Sequence, residues 1–212
     1  MFRSRWLSAL SLPESEKHPI PFEVYFSRLP TLETPSLILR PLRRDDAADL
    51  FSWCSDPEVT RYVLWTPHRT IRDPKEYIRY MRGLYRSGQP SSWGMVCRKD
   101  GRLIGTIGFM WVSEVNCSAE VGYSMARSYW NQGLMTEALQ AVIRSAFSSL
   151  NLNRIEAQRD ARNPASGRVM EKCGMRLEGT LRSRIINKGE AIDVMLYAVL
   201  RSDMSNLSGK TE

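Results

Sequence analysis

Glu120 is an acidic residue inside a run of small and apolar ones, Ser118-Ala119-Glu120-Val121-Gly122-Tyr123-Ser124-Met125. Period-two alternation puts it on the strand face shared with Gly122, opposite Val121 and Tyr123. A carboxylate so placed has two readings: a base taking a proton from a reacting group, or half of an ion pair with an arginine on a neighbouring strand. Just beyond, an aromatic-rich turn from Arg127 to Trp130 gives way to a helix opening on Asn131-Gln132-Gly133. The first amides of a helix lack internal partners and carry the positive end of its dipole. With a glycine allowing close approach, the turn suits a pyrophosphate. An ordinary glycine-assisted strand-to-helix turn would explain the same residues.

Other chemistries find little support. No G-x-x-x-x-G-K-[ST] loop and no G-x-S-x-G elbow occur. Gly101, Gly105 and Gly108 fall within a hairpin rather than in a turn before a helix, so they make no dinucleotide fingerprint. Cys54, Cys97, Cys117 and Cys173 are widely spaced, and His18 and His68 sit at no metal-ligand spacing. Buried free thiols are expected, and no metal. The net charge of +7 is carried mostly by arginine. It permits an anionic partner such as nucleic acid, a ribosomal surface or a polyphosphate cofactor, but the basic residues are dispersed. The densest group, Arg79, Arg82 and Arg86, would form a stripe near one helix face without a nucleic-acid motif.

The elements that must position these residues follow from pattern. At 212 residues the chain holds one domain with a core, or one domain plus an extension. No apolar run approaches a membrane span. The start, "MFRSRWLSALSLPESEK", has an apolar patch shorter and more polar than a signal-peptide core, which fits a cytoplasmic protein. Prolines 13, 19, 21 and 30 punctuate residues 1–35, read as an N-terminal extension. From Ser36, "LILRPL" is a strand, followed by a helix with Asp45 as N-cap and a second helix over Pro74–Ser87. Two strands flank the Asp100-Gly101 turn, and "SAEVGYSM" is a third. A helix over Gln132–Ser148, a strand "RIEAQR", a short helix ended by Gly174, and two strands joined at Asn187–Glu190 complete the order. The domain spans 36–204, and 205–212 reads as a flexible tail.

Two stretches at this separation, "AEVGYSMARSYWNQGLMTEAL" and "NPASGRVMEKCGM", resemble the GNAT acetyltransferases, and within them the RimJ/RimL-like branch. "LILRPLRRDDAADLF" is similar to that branch's opening strand and helix. The resemblance covers about Ser36 to Leu200 and implies an α/β (α+β) fold: a mixed, mostly antiparallel, splayed sheet with helices on both faces.

It also implies acetyl-CoA as cosubstrate, with the pyrophosphate on the amides of Gln132, Gly133, Leu134, Met135 and Thr136, next to Trp130 and Asn131. The pantetheine arm would run along the edge of Tyr123, Ser124 and Met125. Asn163 would reach the pantetheine or the substrate region, and Arg168 the 3′-phosphate, unless Arg168 is simply solvated. Glu120 matches the family's strand base. Met170 stands where a tyrosine acid is usual, and Ser166 is the replacement the branch implies; water and ordinary helix capping are the alternatives. Trp130 takes the family's Gln/Arg position and Met135 that of a small residue. The acceptor is a primary amine, first a protein N-terminus of ribosomal-protein type, then a small amine such as an antibiotic or polyamine. Trp53, Tyr62, Trp65 and Tyr77 fall in the region that shapes the acceptor site. The resemblance leaves room for ribosome association and a homodimer. A non-catalytic CoA-binding or RNA-associated module is the rival reading.

Overall fold

The computed structural model describes residues 19–207. Residues 1–18, with the start of the N-terminal extension and His18, and residues 208–212 lie outside them. One eight-stranded sheet is built from β1 (Leu32–Glu33), β2 (Leu37–Pro41), β3 (Ser92–Cys97), β4 (Leu103–Ser113), β5 (Ser118–Met125), β6 (Arg154–Asp160), β7 (Arg176–Asn187) and β8 (Glu190–Leu200), in the order β1-β2-β3-β4-β5-β6-β8-β7. Every neighbouring pair is antiparallel except β5 with β6. That parallel pairing is short: Ser118 faces Arg154, Ala119 faces Ile155, Glu120 faces Glu156, and there the ladder ends. Beyond Glu120 the strands diverge, and the edge of β5 from Val121 to Met125 is left without a strand partner on that side.

Among the described residues seven helices cover the sheet: α1 (Phe22–Ser27), α2 (Ala47–Cys54), α3 (Pro57–Thr60), α4 (Arg72–Arg86), α5 (Leu134–Ser149), α6 (Pro164–Lys172) and α7 (Arg201–Leu207). Two cores result. On one face, α1, α5 and α6 bury Phe26, Leu139, Val142 and Met170 against Val121, Ile107 and Ile155. On the other, Leu50 and Trp53 of α2 and Ile78 and Met81 of α4 pack against Leu42 and Leu103. The residues that alternate into the first core along β5, Ala119 and Val121, leave Glu120 on the second face, as the pattern requires.

Three details differ from the sequence expectations. The segment before Ser36 is in part integral, since Tyr25, Phe26 and Leu29 are buried in the first core and β1 extends the sheet. The prolines punctuate it, but its aromatics find room against Trp93 and Phe109. The N-cap of α2 is Asp46, not Asp45: a short 3-10 turn, Arg44–Asp46, precedes the helix. Asp46 is buried, accepts two bonds from Arg40 at 2.8 and 2.7 Å, and takes the Arg43 amide at 2.6 Å. The pull of a buried carboxylate toward a guanidinium decides which of two adjacent aspartates turns inward. Finally, α7 runs to Leu207, so helix occupies the first residues of the stretch read as a tail.

Gly108 sits where β3 and β4 touch. A Cβ there would lie 2.3 Å from Ser92 Cα and 2.4 Å from the Ser91 carbonyl, so only glycine fits. All four cysteines are free, with Cys54, Cys97 and Cys173 buried. Among the described residues no helix is long and apolar enough to cross a membrane, and no cluster could hold a metal.

The C-terminal end of α5 is closed by a side chain. Arg201 donates to the carbonyls of Phe147 (2.6 Å), Leu150 (2.8 Å) and Leu152 (2.8 Å), its guanidinium above the Phe147 ring. A cation on these orphan acceptors also complements the helix dipole. Arg201→Met should lower unfolding stability by about 2 kcal/mol. A denaturant titration checks this: the midpoint falls while the slope stays constant.

Candidate active site

The divergence of β5 from β6 creates a cleft of about 510 Å³, lined by Tyr123, Ser124 and Met125 of β5, by Trp130, Asn131 and Gly133–Thr136, and by Asn163–Ser166, Arg168 and Lys172 of α6. Val59 and Tyr62, after α2, close one side. Thus twelve of the fourteen residues singled out from the sequence meet in one place; Glu120 and Gln132 do not line the cleft. Gln132 folds back, its amide donating to the Ser128 carbonyl at 2.9 Å.

The turn has the shape the glycine implied. Asn131 and Gly133 take left-handed backbone, φ 59° and 79°. The first helical bond of α5 runs from the Glu137 amide to the Gly133 carbonyl at 3.0 Å, so the amides of Leu134, Met135 and Thr136 precede the ladder. A Cβ on Gly133 would meet nothing within 4 Å, because it would project into open space. The amides, the open face and the positive helix end suit a pyrophosphate. Arg168 and Lys172, one turn apart on α6, add positive charge to the lining. Met135 is no obstacle: its side chain is 6% exposed and belongs to the first core. The Trp130 indole donates to the Met125 carbonyl at 2.8 Å, so that stretch of edge is already engaged.

At the start of α6 the roles of two residues exchange. Asn163 is the N-cap, its Oδ1 accepting the Ser166 amide at 3.3 Å. Capping is therefore Asn163's chemistry, and the Ser166 hydroxyl is free for another partner. That partner is Tyr123, whose hydroxyl donates to the Ser166 carbonyl at 3.1 Å and lies 3.0 Å from Ser166 Oγ. Burial holds the Tyr123 phenol well above its ordinary value, so it stays protonated. The Tyr123–Ser166 pair bridges the two walls of the cleft. Met170 is buried in the core and has no part in it.

Glu120 stands at the apex, in the last pair before the strands part. The arginine partner of the ion-pair reading is not among its hydrogen-bond partners. Glu120 Oε2 accepts the Trp111 indole N–H at 2.7 Å and the Gln158 amide at 2.9 Å. Burial raises its carboxyl above the usual glutamate value, and the two donors only partly offset this. The neighbouring arginine of β6, Arg154, is committed to Glu156 and Glu178. Trp111 and Gln158 escaped the sequence reading because the face a tryptophan takes depends on strand register, and β4 has a bulge before Trp111. The Tyr123 hydroxyl escaped too, since a strand aromatic beside a core reads as packing. Of the four aromatics ahead of the hairpin, Tyr62 lines the cleft, Trp53 is buried, and Trp65 and Tyr77 pack against the second core.

A splayed sheet with an amide cradle at the open end and a carboxylate at the apex defines a class, the GNAT-type acyltransferase fold. The family model for the acetyltransferase (GNAT) domain matches residues 36–176, and the chain belongs to that family. It is 35% identical over 173 residues to the uncharacterized N-acetyltransferase p20 of Bacillus licheniformis, covering 82% of this chain and 97% of that protein. Over 100 residues it is 36% identical to the ribosomal-protein-serine acetyltransferase of Escherichia coli, covering 47% of this chain and 56% of that one. A GNAT-family acetyltransferase from Bacillus anthracis superposes with a TM-score of 0.73 at 26% identity, over 82% of this chain and 99% of that one. The protein is therefore an acetyl-CoA-dependent N-acetyltransferase, and the residues of the cleft fit that cosubstrate.

The raised carboxyl of Glu120 has a consequence for stability. Between the usual glutamate value and the raised one, the folded chain binds more protons than the unfolded chain. Stability from this group is therefore lost as pH rises through that window. Glu120→Gln should raise the melting temperature at pH 7. The gain should fade as pH drops below the usual glutamate range, which melting curves across pH will show.

Proposed function

We propose that the acceptor is the N-terminal amine of a protein or peptide, and that Glu120 is the base that deprotonates it. The observation that carries this reading is the open ground beside Glu120. Met110 is 62% exposed and Trp111 37%, an exposed apolar approach that suits a chain end. The relative named as a ribosomal-protein-serine acetyltransferase supports the same class of acceptor. A polyamine or other small amine is the second reading, and the cytoplasm is the setting we infer.

An amine at neutral pH is an ammonium and must shed a proton before it can attack a carbonyl. A carboxylate with a raised proton affinity, standing at the apex, suits that task better than an ordinary surface glutamate. Acetyl-CoA, when bound, supplies a thioester-activated acetyl group. In this reading the amides of Gly133–Thr136 hold its pyrophosphate, Arg168 and Lys172 balance its charge, and the Tyr123–Ser124 edge orients its arm. Ser166, its hydroxyl kept in place by Tyr123 and not spent on capping, lines the cleft as the proton donor of this reading. Residues 36–204, with α1 and β1 packed onto them, form the catalytic domain.

Thiol release from acetyl-CoA tests this, using peptides with free seryl and alanyl N-termini beside spermidine and a blocked peptide. Turnover with the free peptides above spermidine is expected; turnover with spermidine alone would overturn the peptide reading. Glu120→Gln should lower kcat by about 10²-fold at and below neutral pH, with acetyl-CoA affinity unchanged. Gly133→Val should keep the fold, at a cost of about 1–2 kcal/mol for left-handed backbone. It should weaken CoA binding about tenfold or more by placing a branched side chain in the cradle. Calorimetric titration with CoA measures this.

A further inference from the structure

We propose that Trp111 and Gln158 are positioning residues that pin Glu120 Oε2 and so leave Oε1 as the oxygen that takes the proton from the acceptor amine. This rests on Glu120 being the base. Both donors converge on a single oxygen, at 2.7 and 2.9 Å, and no donor among the described residues is bonded to Oε1. A carboxylate held by one oxygen cannot rotate without breaking both bonds. Its other oxygen keeps a fixed direction and an unused lone pair.

The two donors come from different strands, and each depends on an irregularity of the sheet. In β4, Phe109 faces Val121 but Trp111 faces Glu120, so Met110 is an extra residue without a partner. A bulge of this kind re-aims the side chain that follows it. Here it sets the Trp111 indole across from Glu120. Tryptophan at 37% exposure is an uncommon way to fill a surface, and its N–H bonds the carboxylate at 2.7 Å. In β6, Gln158 lies two residues past Glu156, where the parallel ladder has already ended. Its amide reaches back across the opening to Glu120, joining the two strands by side chain where the backbone no longer does.

The charged groups that face Glu120 are Glu156 from β6, which raises its proton affinity, and Arg184 from β7, which lowers it. Neither is hydrogen-bonded to it, and Glu156 is held by Arg154 at 2.6 Å. The neutral donors therefore fix orientation. The proton balance is simple: the ammonium gives one proton to Oε1, directly or through a water, leaving a neutral amine and a neutral carboxylic acid. The acid later returns the proton to solvent.

The test uses the full chain with Trp111→Phe, Gln158→Leu and Glu120→Gln. The pH profile of kcat/KM is measured with a seryl peptide. In the free protein, the side-chain carboxyl of Glu120 is followed by carbon NMR with labelled glutamate, the signal being assigned by its loss in Glu120→Gln. Removing a donor to a charged carboxylate should move the acid limb and the NMR midpoint upward together, by about one pH unit for each variant. The KM for acetyl-CoA should stay as in the parent. An acid limb that persists unchanged in Glu120→Gln overturns the base reading and this inference with it. A limb that disappears in Glu120→Gln but stays in place in both donor variants, with an unmoved NMR midpoint, overturns this inference alone.

Discussion

Three parallel residue pairs hold β5 against β6, and the sheet opens directly after them. The cleft, the free edge of β5 and the setting of Glu120 all depend on that early ending. Were the ladder to continue, Tyr123 and Ser124 would be paired to another strand and no room would remain between β5 and α6. What holds the opening at its width is on both sides of it. The Tyr123 hydroxyl meets Ser166 across the cleft, and α6 sits close on β6 because Gly167 has no side chain to strike Arg159 and Tyr197. The helices that follow each strand then decide what lines the walls. α5 starts at the end of β5 and turns its uncapped amides inward, while α6 starts at the end of β6 and brings Ser166.

The electrostatics of the apex depend on which partners Glu120 lacks. An arginine at hydrogen-bonding distance would favour the charged carboxylate strongly and depress its proton affinity. Elsewhere in the chain Arg40 and Asp46 form such a contact at 2.7 Å, and there it fixes the turn before α2. At Glu120 the partners are an indole and a carboxamide, which can hold a geometry without adding charge. The arginine best placed to intrude, Arg154, is drawn away by Glu156 and Glu178. The surface carries a net excess of arginine, yet Glu120 is kept apart from direct contact with it.

Much of this was legible in the residues, because the signals were local. Gly133 before an amphipathic run marks the cradle, alternation along β5 fixes the face of Glu120, and Asp100-Gly101 marks the hairpin. Element order from Ser36 onward follows from the same kinds of pattern. The rest needed distances between segments far apart in the chain. Trp111 could be aimed only once the bulge at Met110 was known, and no turn residue marks it. Whether Asn163 or Ser166 caps α6 is a choice between two good capping residues three positions apart. It is settled by the Tyr123 hydroxyl, which comes from a different strand. Residues 22–33 looked like an appendage because prolines bound them, while the surface that accepts Phe26 is made by β3 and β4 much later in the chain.

The shortness of the β5–β6 ladder also bears on how the molecule holds together. Strands β1 to β5 form one antiparallel unit and β6 to β8 another; backbone bonds join them along the three-pair ladder and where the Asn153 and Arg154 amides meet the Cys117 carbonyl, and the first core runs under both. Such units open on separate free-energy scales unless something couples them. A ligand that lies against the β5 edge and touches α6 is bonded to both. By mass action it stabilises the closed assembly in proportion to the logarithm of its concentration over its dissociation constant. Acetyl-CoA held as proposed would therefore make cosubstrate level and the mechanical unity of the sheet linked variables, with the loaded protein the more cooperative body.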